Sequence, residues 1–194
     1  MSNTGNTRQS IIEATYALFA EHGIDRTSLA MVAARVGITK PAIYYHFPSK
    51  EALTDAIFDE MFRDYKFATY FKVSEYTESN FEQRLLADGL RMLFSEEEEP
   101  EVLSMMNELL MMFFGKDSYR QRIVAMQQDF LDGFAELLRK GATLGVVSPD
   151  NTTAKAHMLM MVIDNISSFM LMGMKLAYED IWKEAVKSIR RESQ

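Results

Sequence analysis

Between residues 40 and 50 of this 194-residue chain, cations and hydrogen-bonding rings come together: Lys40, then Tyr44, Tyr45 and His46 in succession, then Lys50. Ammonium groups neutralise phosphate, and phenol and imidazole groups donate and accept hydrogen bonds. A packed core has no use for three polar rings in a row, so the cluster suits a phosphate backbone and the base edges beside it. Catalytic chemistry has weaker support. The three histidines, His22, His46 and His157, are scattered, and neither an HExxH or ExxH pattern nor a nucleophile signature occurs. Pairing His157 with Glu108 or Asp164 as acid and base is the enzymatic alternative, and no motif backs it. The acidic run at 96–100 reads as a solvated charge cluster, because consecutive carboxylates diverge around a loop or helix. Neither a metal site nor a cofactor is implied.

The elements that must position this cluster are legible in the preceding residues. Leu29, Val32, Ala33 and Val36 recur at three and four residues, giving one apolar stripe that stops at Gly37. A second helix follows, with Ile43 and Phe47 four apart on its inner face and Thr39, Lys40, Ala42, Tyr45 and His46 turned mostly outward. Thr39 is placed to cap that helix, and Pro41 falls in its first turn, where a missing N–H has no intrahelical partner to lose. Pro48-Ser49 breaks the chain and caps a third helix, with Glu51 in its first turn. Helix, glycine turn and second helix with a polar, aromatic and cationic outer face make a helix-turn-helix arrangement.

Residues 8–53, through ALFAEHG, TS and VGITKPAIYYHFPSKEAL, resemble the DNA-binding domain of the TetR-like (tetracycline-repressor-like) transcriptional regulators. The resemblance covers about a quarter of the chain. It implies that the helix after Gly37 enters the major groove. By position it assigns Lys40, Pro41, Ala42, Tyr44, Tyr45, His46 and Lys50 to the DNA face. Lys50 is then at a phosphate where the next helix starts, and Ser28 is at a phosphate near the start of the first. Leu29, Ala30 and Met31 put apolar groups where some relatives have polar ones.

The net charge of −7 divides unevenly: residues 1–53 carry +1 and residues 54–194 carry −8. Only the N-terminal part tolerates a duplex, and the acidic remainder limits non-specific binding. With 47% hydrophobic residues the chain can bury a core. The absence of cysteine excludes disulfide and thiolate chemistry, and the first ten residues contain no apolar signal segment. A cytoplasmic location is the expectation.

Every remaining segment reads as helix, so the expected fold is all-α. A three-helix DNA-binding domain over residues 1–53 is joined by a long helix to a helical ligand-binding and dimerisation domain over 54–194. Residues 2–7 read as a polar arm outside the first helix, which runs from Arg8 to His22. The linking helix runs from Ser49 to about Val73, and further helices follow over Phe81–Phe94, from Pro100 to about Gly115 and from Ser118 to about Leu144. Another is capped by Asp150 or Asn151 and reaches Tyr178, and a last short one carries Trp182. Residues 156–178 are long and apolar enough to suggest a membrane span, but Asp164 and Asn165 at the centre argue against one. No membrane partner is expected.

That segment is instead a helix with two apolar faces. Leu159, Ile163, Ile166, Met170 and Ala177 form one, and Met158, Met161, Asn165, Phe169 and Met172 form the other. The TetR-like resemblance implies a homodimer through the last two long helices, with Ile163, Ile166, Met170 and Trp182 as candidate interface residues. Twelve of the 15 methionines fall between 92 and 174. Methionine adapts to varied shapes, which points to a plastic pocket of Met105, Met106, Leu109, Met112, Phe113, Met126, Phe130 and Met161 for a small lipophilic effector. The leading expectation is a ligand-responsive repressor on a palindromic DNA operator. A ligand-independent regulator or an activator with the same fold is the alternative.

Overall fold

The computed structural model describes residues 3–94 and 108–191, and every described regular element is helical. The chain divides into two compact units, Met1–Asp64 with Glu98–Phe113, and Tyr65–Glu97 with Phe114–Gln194. No described helix is long and apolar enough to cross a membrane.

The first unit is built from α1 (Asn3–His22), α2 (Leu29–Val36), α3 (Lys40–His46) and α4 (Lys50–Met61), with the part at 108–113 of a further helical segment that runs over 108–114. Its core is the apolar stripes of these helices: Ile11, Ile12, Leu18 and Phe19 of α1, Val32 and Ala33 of α2, Ile43 of α3, and Leu53, Ile57 and Phe58 of α4. Phe47, which caps α3 at its C-terminus, is 2% exposed beneath them. From the segment at 108–114, Leu109 and Phe113 are fully buried, and the Phe113 ring stands edge-on to Phe58 with centroids 4.7 Å apart.

Two boundaries differ from the sequence reading here. The helix α1 already begins at Asn3, so the polar residues 3–7 extend it rather than forming a free arm, and Ser10 donates to the Asn6 carbonyl within that turn. The linking helix expected over 49–73 ends at Met61. Residues 62–66 turn, and a one-turn helix α5 (Phe67–Tyr70) and a 3-10 turn at Val73–Glu75 follow. The reason is a competing partner for the backbone: the Asp129 carboxylate accepts the Phe67 N–H at 2.8 Å, a bond that a continuous helix would have given to a carbonyl four residues earlier.

In the second unit, α6 (Phe81–Leu93), α7 (Asp117–Thr143), α8 (Thr152–Leu171) and α9 (Tyr178–Ser188) follow α5. Its aromatic centre is Phe67, Phe71 and Phe134, with ring centroids 4.9–5.0 Å apart. Trp182 is fully buried, donates from Nε1 to the Leu86 carbonyl at 3.2 Å and lies against Gly89, where a Cβ would stand 2.3 Å from the indole ring. Only glycine permits that approach. Asp88 is 3% exposed and accepts the Tyr76 hydroxyl at 2.7 Å, with Arg91 at 3.1 Å and Arg84 at 3.4 Å as counter-charges. Burial, followed by the Asp88 bond, pushes the Tyr76 phenol well above its usual range. The helix α8 ends at Leu171, short of Tyr178, as the chain turns through Gly173 at φ +73. Asn151 takes its N-cap position, but the side chain makes no capping bond.

Candidate nucleic-acid interface

The outward face of α3 depends on how its inward face is held. Its seven residues are too few to be stable alone, so the caps and the core must fix it. Thr39 Oγ1 accepts the Ala42 N–H at 3.3 Å, and Pro41 sits in the first turn as the sequence indicated. Ile43 and Phe47, at 0% and 2% exposure, anchor the other side. The preceding turn is closed by Gly37 at φ +77, a left-handed conformation costly to other residues, with the Ile38 N–H returning to the Ala33 carbonyl at 2.9 Å. Ser28 caps α2 by accepting the Met31 N–H at 3.3 Å.

Held this way, α3 presents Lys40, Pro41, Tyr44 and Tyr45 to solvent, with Ala42 and His46 half-buried beside them. Tyr45 is 80% exposed and Tyr44 44%, the former set edge-on to His46 at 5.4 Å. Apolar ring surface of this size is costly to leave in water without a partner. An open cleft of about 570 Å³ runs beside this face, lined by Ser28, Ala30, Lys40, Tyr44, Ser49 and Lys50 among others. Lys40 and Lys50 are its cations, and the Ser28 and Ser49 hydroxyls each cap a helix start. Helix N-termini, hydroxyls and ammonium groups around one cleft suit anionic oxygen.

Lys50 is already engaged: its Nζ donates to the Ile24 carbonyl at 2.6 Å and to the Asp25 carbonyl at 3.4 Å. It ties the start of α4 to the α1–α2 turn. An ammonium has three donors, so one remains for a phosphate oxygen. The same turn is held by Thr27, whose Oγ1 donates to the Gly23 carbonyl at 2.9 Å and lies 3.2 Å from that of Leu18. On the outside of the unit, Arg35 makes two bonds to the Glu21 carboxylate, at 3.0 and 2.6 Å, and the guanidinium holds that carboxyl below its usual range. Arg8 lies 5.0 Å from the Phe47 ring centroid.

The expected pocket residues divide between the two units. Met105 and Met106 lie outside the described residues. Leu109 and Phe113 are buried in the first unit with Met112 half-buried beside them, whereas Met126, Phe130 and Met161 belong to the second. Phe130 is fully buried against the rings of Tyr65 and Phe67. Met161 is 65% exposed. It borders a cavity of about 320 Å³ together with Gln127, Leu131, His157, Met160 and Asp164, in which Gln127 Nε2 donates to Asp164 Oδ1 at 2.9 Å. Glu108 belongs to the first unit, where it accepts the Ile24 N–H at 3.4 Å, and His157 belongs to the second. Among the described residues no cluster of His, Cys, Asp and Glu is arranged to hold a metal ion.

The proposed interface residues divide likewise. Ile163, Ile166 and Trp182 are 0–3% exposed within the core of their own unit, while Met170 is half-buried against it. Among the described residues, apolar surface is left open on the other face of α8 and at the start of α9. There Met158, Met161, Phe169, Leu176, Tyr178 and Ile181 border a largely apolar cleft of about 520 Å³. Periodicity found both faces; without the positions of α6 and α7, it had no means of saying which one was covered. Sequence reasoning also missed the structural work of Glu108 at the α1–α2 turn, which nothing local to residue 108 signals. That of Thr27 was missed too, although the residue stands immediately before the Ser28 cap.

Residues 11–57 match the family model described as bacterial regulatory proteins, tetR family. The A-factor receptor protein of Streptomyces griseus is 41% identical over 54 residues, 28% of this chain and 20% of that one. The HTH-type transcriptional regulator TtgR of Pseudomonas putida is 44% identical over 55 residues, 28% of this chain and 26% of that one. The chain thus spans a fifth to about a quarter of the length of these curated relatives. SmeT, described as the repressor of the Stenotrophomonas maltophilia multidrug efflux pump SmeDEF and solved as a triclosan complex, superposes with a TM-score of 0.71. That likeness is at 20% identity over 96% of this chain and 93% of SmeT, and it bears on the fold alone.

Proposed function

We propose that this chain, whose residues 11–57 match the tetR family of bacterial regulatory proteins, is a cytoplasmic, dimeric, ligand-responsive repressor of transcription. Residues 1–53 read a palindromic operator, and residues 54–194 carry effector binding and dimerisation. The observation that carries the reading is α3 itself: a short, doubly anchored helix whose outer face holds Lys40, Tyr44 and an 80% exposed Tyr45. Phosphate contacts from Ser28, Thr39, Tyr44, His46 and Lys50 supply most of the affinity, and Lys40, Pro41, Ala42 and Tyr45 face the bases of the major groove. The −8 balance beyond residue 53 keeps the rest of the chain off the duplex.

The open face of α8 and α9 meets the same face of a second copy, so that two α3 helices address half-sites about one helical turn apart, roughly 34–36 Å. The effector is lipophilic and neutral or cationic. The 320 Å³ cavity of the second unit, with Leu131, Met160 and Met161 beside His157 and the Gln127–Asp164 pair, combines the apolar wall and polar anchors that suit such a compound. SmeT, with the same fold, is a repressor with triclosan bound, which supports a lipophilic effector here. The experiment is to select duplexes from a random-sequence library with the full-length protein and measure their affinity at several salt concentrations. Enrichment of a near-palindrome, lost in Tyr45→Ala, is the expected result. Equal affinity for the selected and random duplexes would overturn the reading.

A further inference from the structure

The α1–α2 turn is gripped through a residue far from the helix-turn-helix. The Ile24 N–H donates to Glu108 Oε1 at 3.4 Å, across 84 positions of sequence. Both carboxylate oxygens also stand within 4 Å of the site where a Cβ would sit on Gly23, at 3.8 and 3.9 Å, so the carboxylate lies close along the Gly23–Ile24 backbone. The carbonyl of that same Ile24 accepts the Lys50 ammonium at 2.6 Å and the Thr27 N–H at 3.3 Å. One residue of the turn is therefore held at its N–H by an anion and at its C=O by a cation, and Lys50 is also the first residue of α4. The helical segment that carries Glu108 is fixed to the same unit by Leu109 and Phe113, both fully buried.

We propose that Glu108 is a positioning residue for DNA reading: it clamps the turn at Ile24, and through the Ile24–Lys50 bond it sets the placement of α2 and of the α4 start beside α3. The inference rests on the DNA-binding reading and deepens it by adding a control point outside residues 1–53. Any movement of the segment at 108–114 acts on this turn through the Glu108 carboxylate. Because the chain passes from Phe113 into the second unit at Phe114, the clamp is also a covalently connected route from that unit to the reading face.

Simple electrostatics and the clamp predict opposite signs for one substitution. If Glu108 acted only as a charge, Glu108→Ala and Glu108→Gln would both remove repulsion and tighten binding to any duplex. As a clamp, Glu108→Ala weakens binding to the duplex selected by the unaltered protein by about tenfold, the scale of a lost charge-assisted hydrogen bond. It leaves affinity for a random duplex unchanged, and Glu108→Gln, whose amide oxygen still accepts the Ile24 N–H, stays close to the parent. Amide hydrogen exchange on the free full-length variants gives a reading that needs no operator: in Glu108→Ala the Ile24 amide exchanges about tenfold faster, while the Gly23 amide, bonded to the Phe19 carbonyl, does not. Tighter binding in both variants, unchanged Ile24 exchange, or equal acceleration at Gly23 and Ile24 would each overturn the clamp. If the unaltered protein selects no duplex at all, it is the functional reading that fails, and exchange at Ile24 still decides the clamp.

Discussion

Replacing Met161 by glutamate places a carboxylate on the open apolar face of α8, where the side chain is 65% exposed. If that face meets its copy across a two-fold axis, one substitution alters the interface twice. Burying a methionine contributes about 1.5–3 kcal/mol, so losing two such contributions costs about 3–6 kcal/mol of association energy. At about 1.4 kcal/mol per tenfold, the dimer dissociation constant rises by roughly 10²–10⁴. Stability of the single chain should barely change, because the side chain leaves its own core almost untouched. Ile166→Glu is the contrasting variant: Ile166 is 3% exposed inside the second unit, so its replacement should unfold the unit rather than separate two folded copies. Sedimentation velocity over a range of concentrations, together with thermal unfolding, distinguishes the two. A Met161→Glu protein that sediments as a dimer wherever the parent does would refute the assignment of this face.

Other substitutions test the packing and the charges. Gly89→Ala should lower stability by about 1–3 kcal/mol, because its Cβ would stand 2.3 Å from the Trp182 ring, and unfolding followed by the fluorescence of that single tryptophan measures it. Asp88→Ala should cost about 1–3 kcal/mol in denaturant titration, since it leaves the buried Tyr76 hydroxyl without its acceptor while Arg84 keeps Glu75. Burial, with a smaller contribution from Asp164, raises the Tyr65 phenol above its ordinary value of 10, so its stabilising contribution is complete below pH 10 and is lost as pH rises from 10 towards the folded value. Unfolding free energies from denaturant titration above pH 10 should accordingly fall less steeply in Tyr65→Phe, by about 1.4 kcal/mol per pH unit.

What the sequence disclosed follows from the range of the interactions involved. The helix-turn-helix was legible because its determinants are local: the stripe ending at Gly37, the Thr39 cap and Pro41 all act within one or two turns of chain. The break after Met61 was not, because the Asp129 carboxylate that takes the Phe67 N–H comes from 62 residues away. Both apolar faces of α8 were found by periodicity. Which face met a second copy was left open; Ile163 and Ile166, candidates for it, are 0–3% exposed in the core of their own unit. Trp182, also a candidate, is buried against Gly89 on α6, which periodicity along its own helix does not reveal. Glu108 was considered as a partner for His157, and only the folded chain brings it to Ile24.

The central claim is that two copies of α3 read one duplex, and footprinting of the backbone on a selected duplex measures this most directly. The account predicts two protected stretches centred about one helical turn apart, roughly 34–36 Å or a multiple of it, related by a dyad, with both lost together in Lys40→Ala, Tyr45→Ala. A single protected stretch, or protection that survives the double substitution in a folded protein, would contradict it.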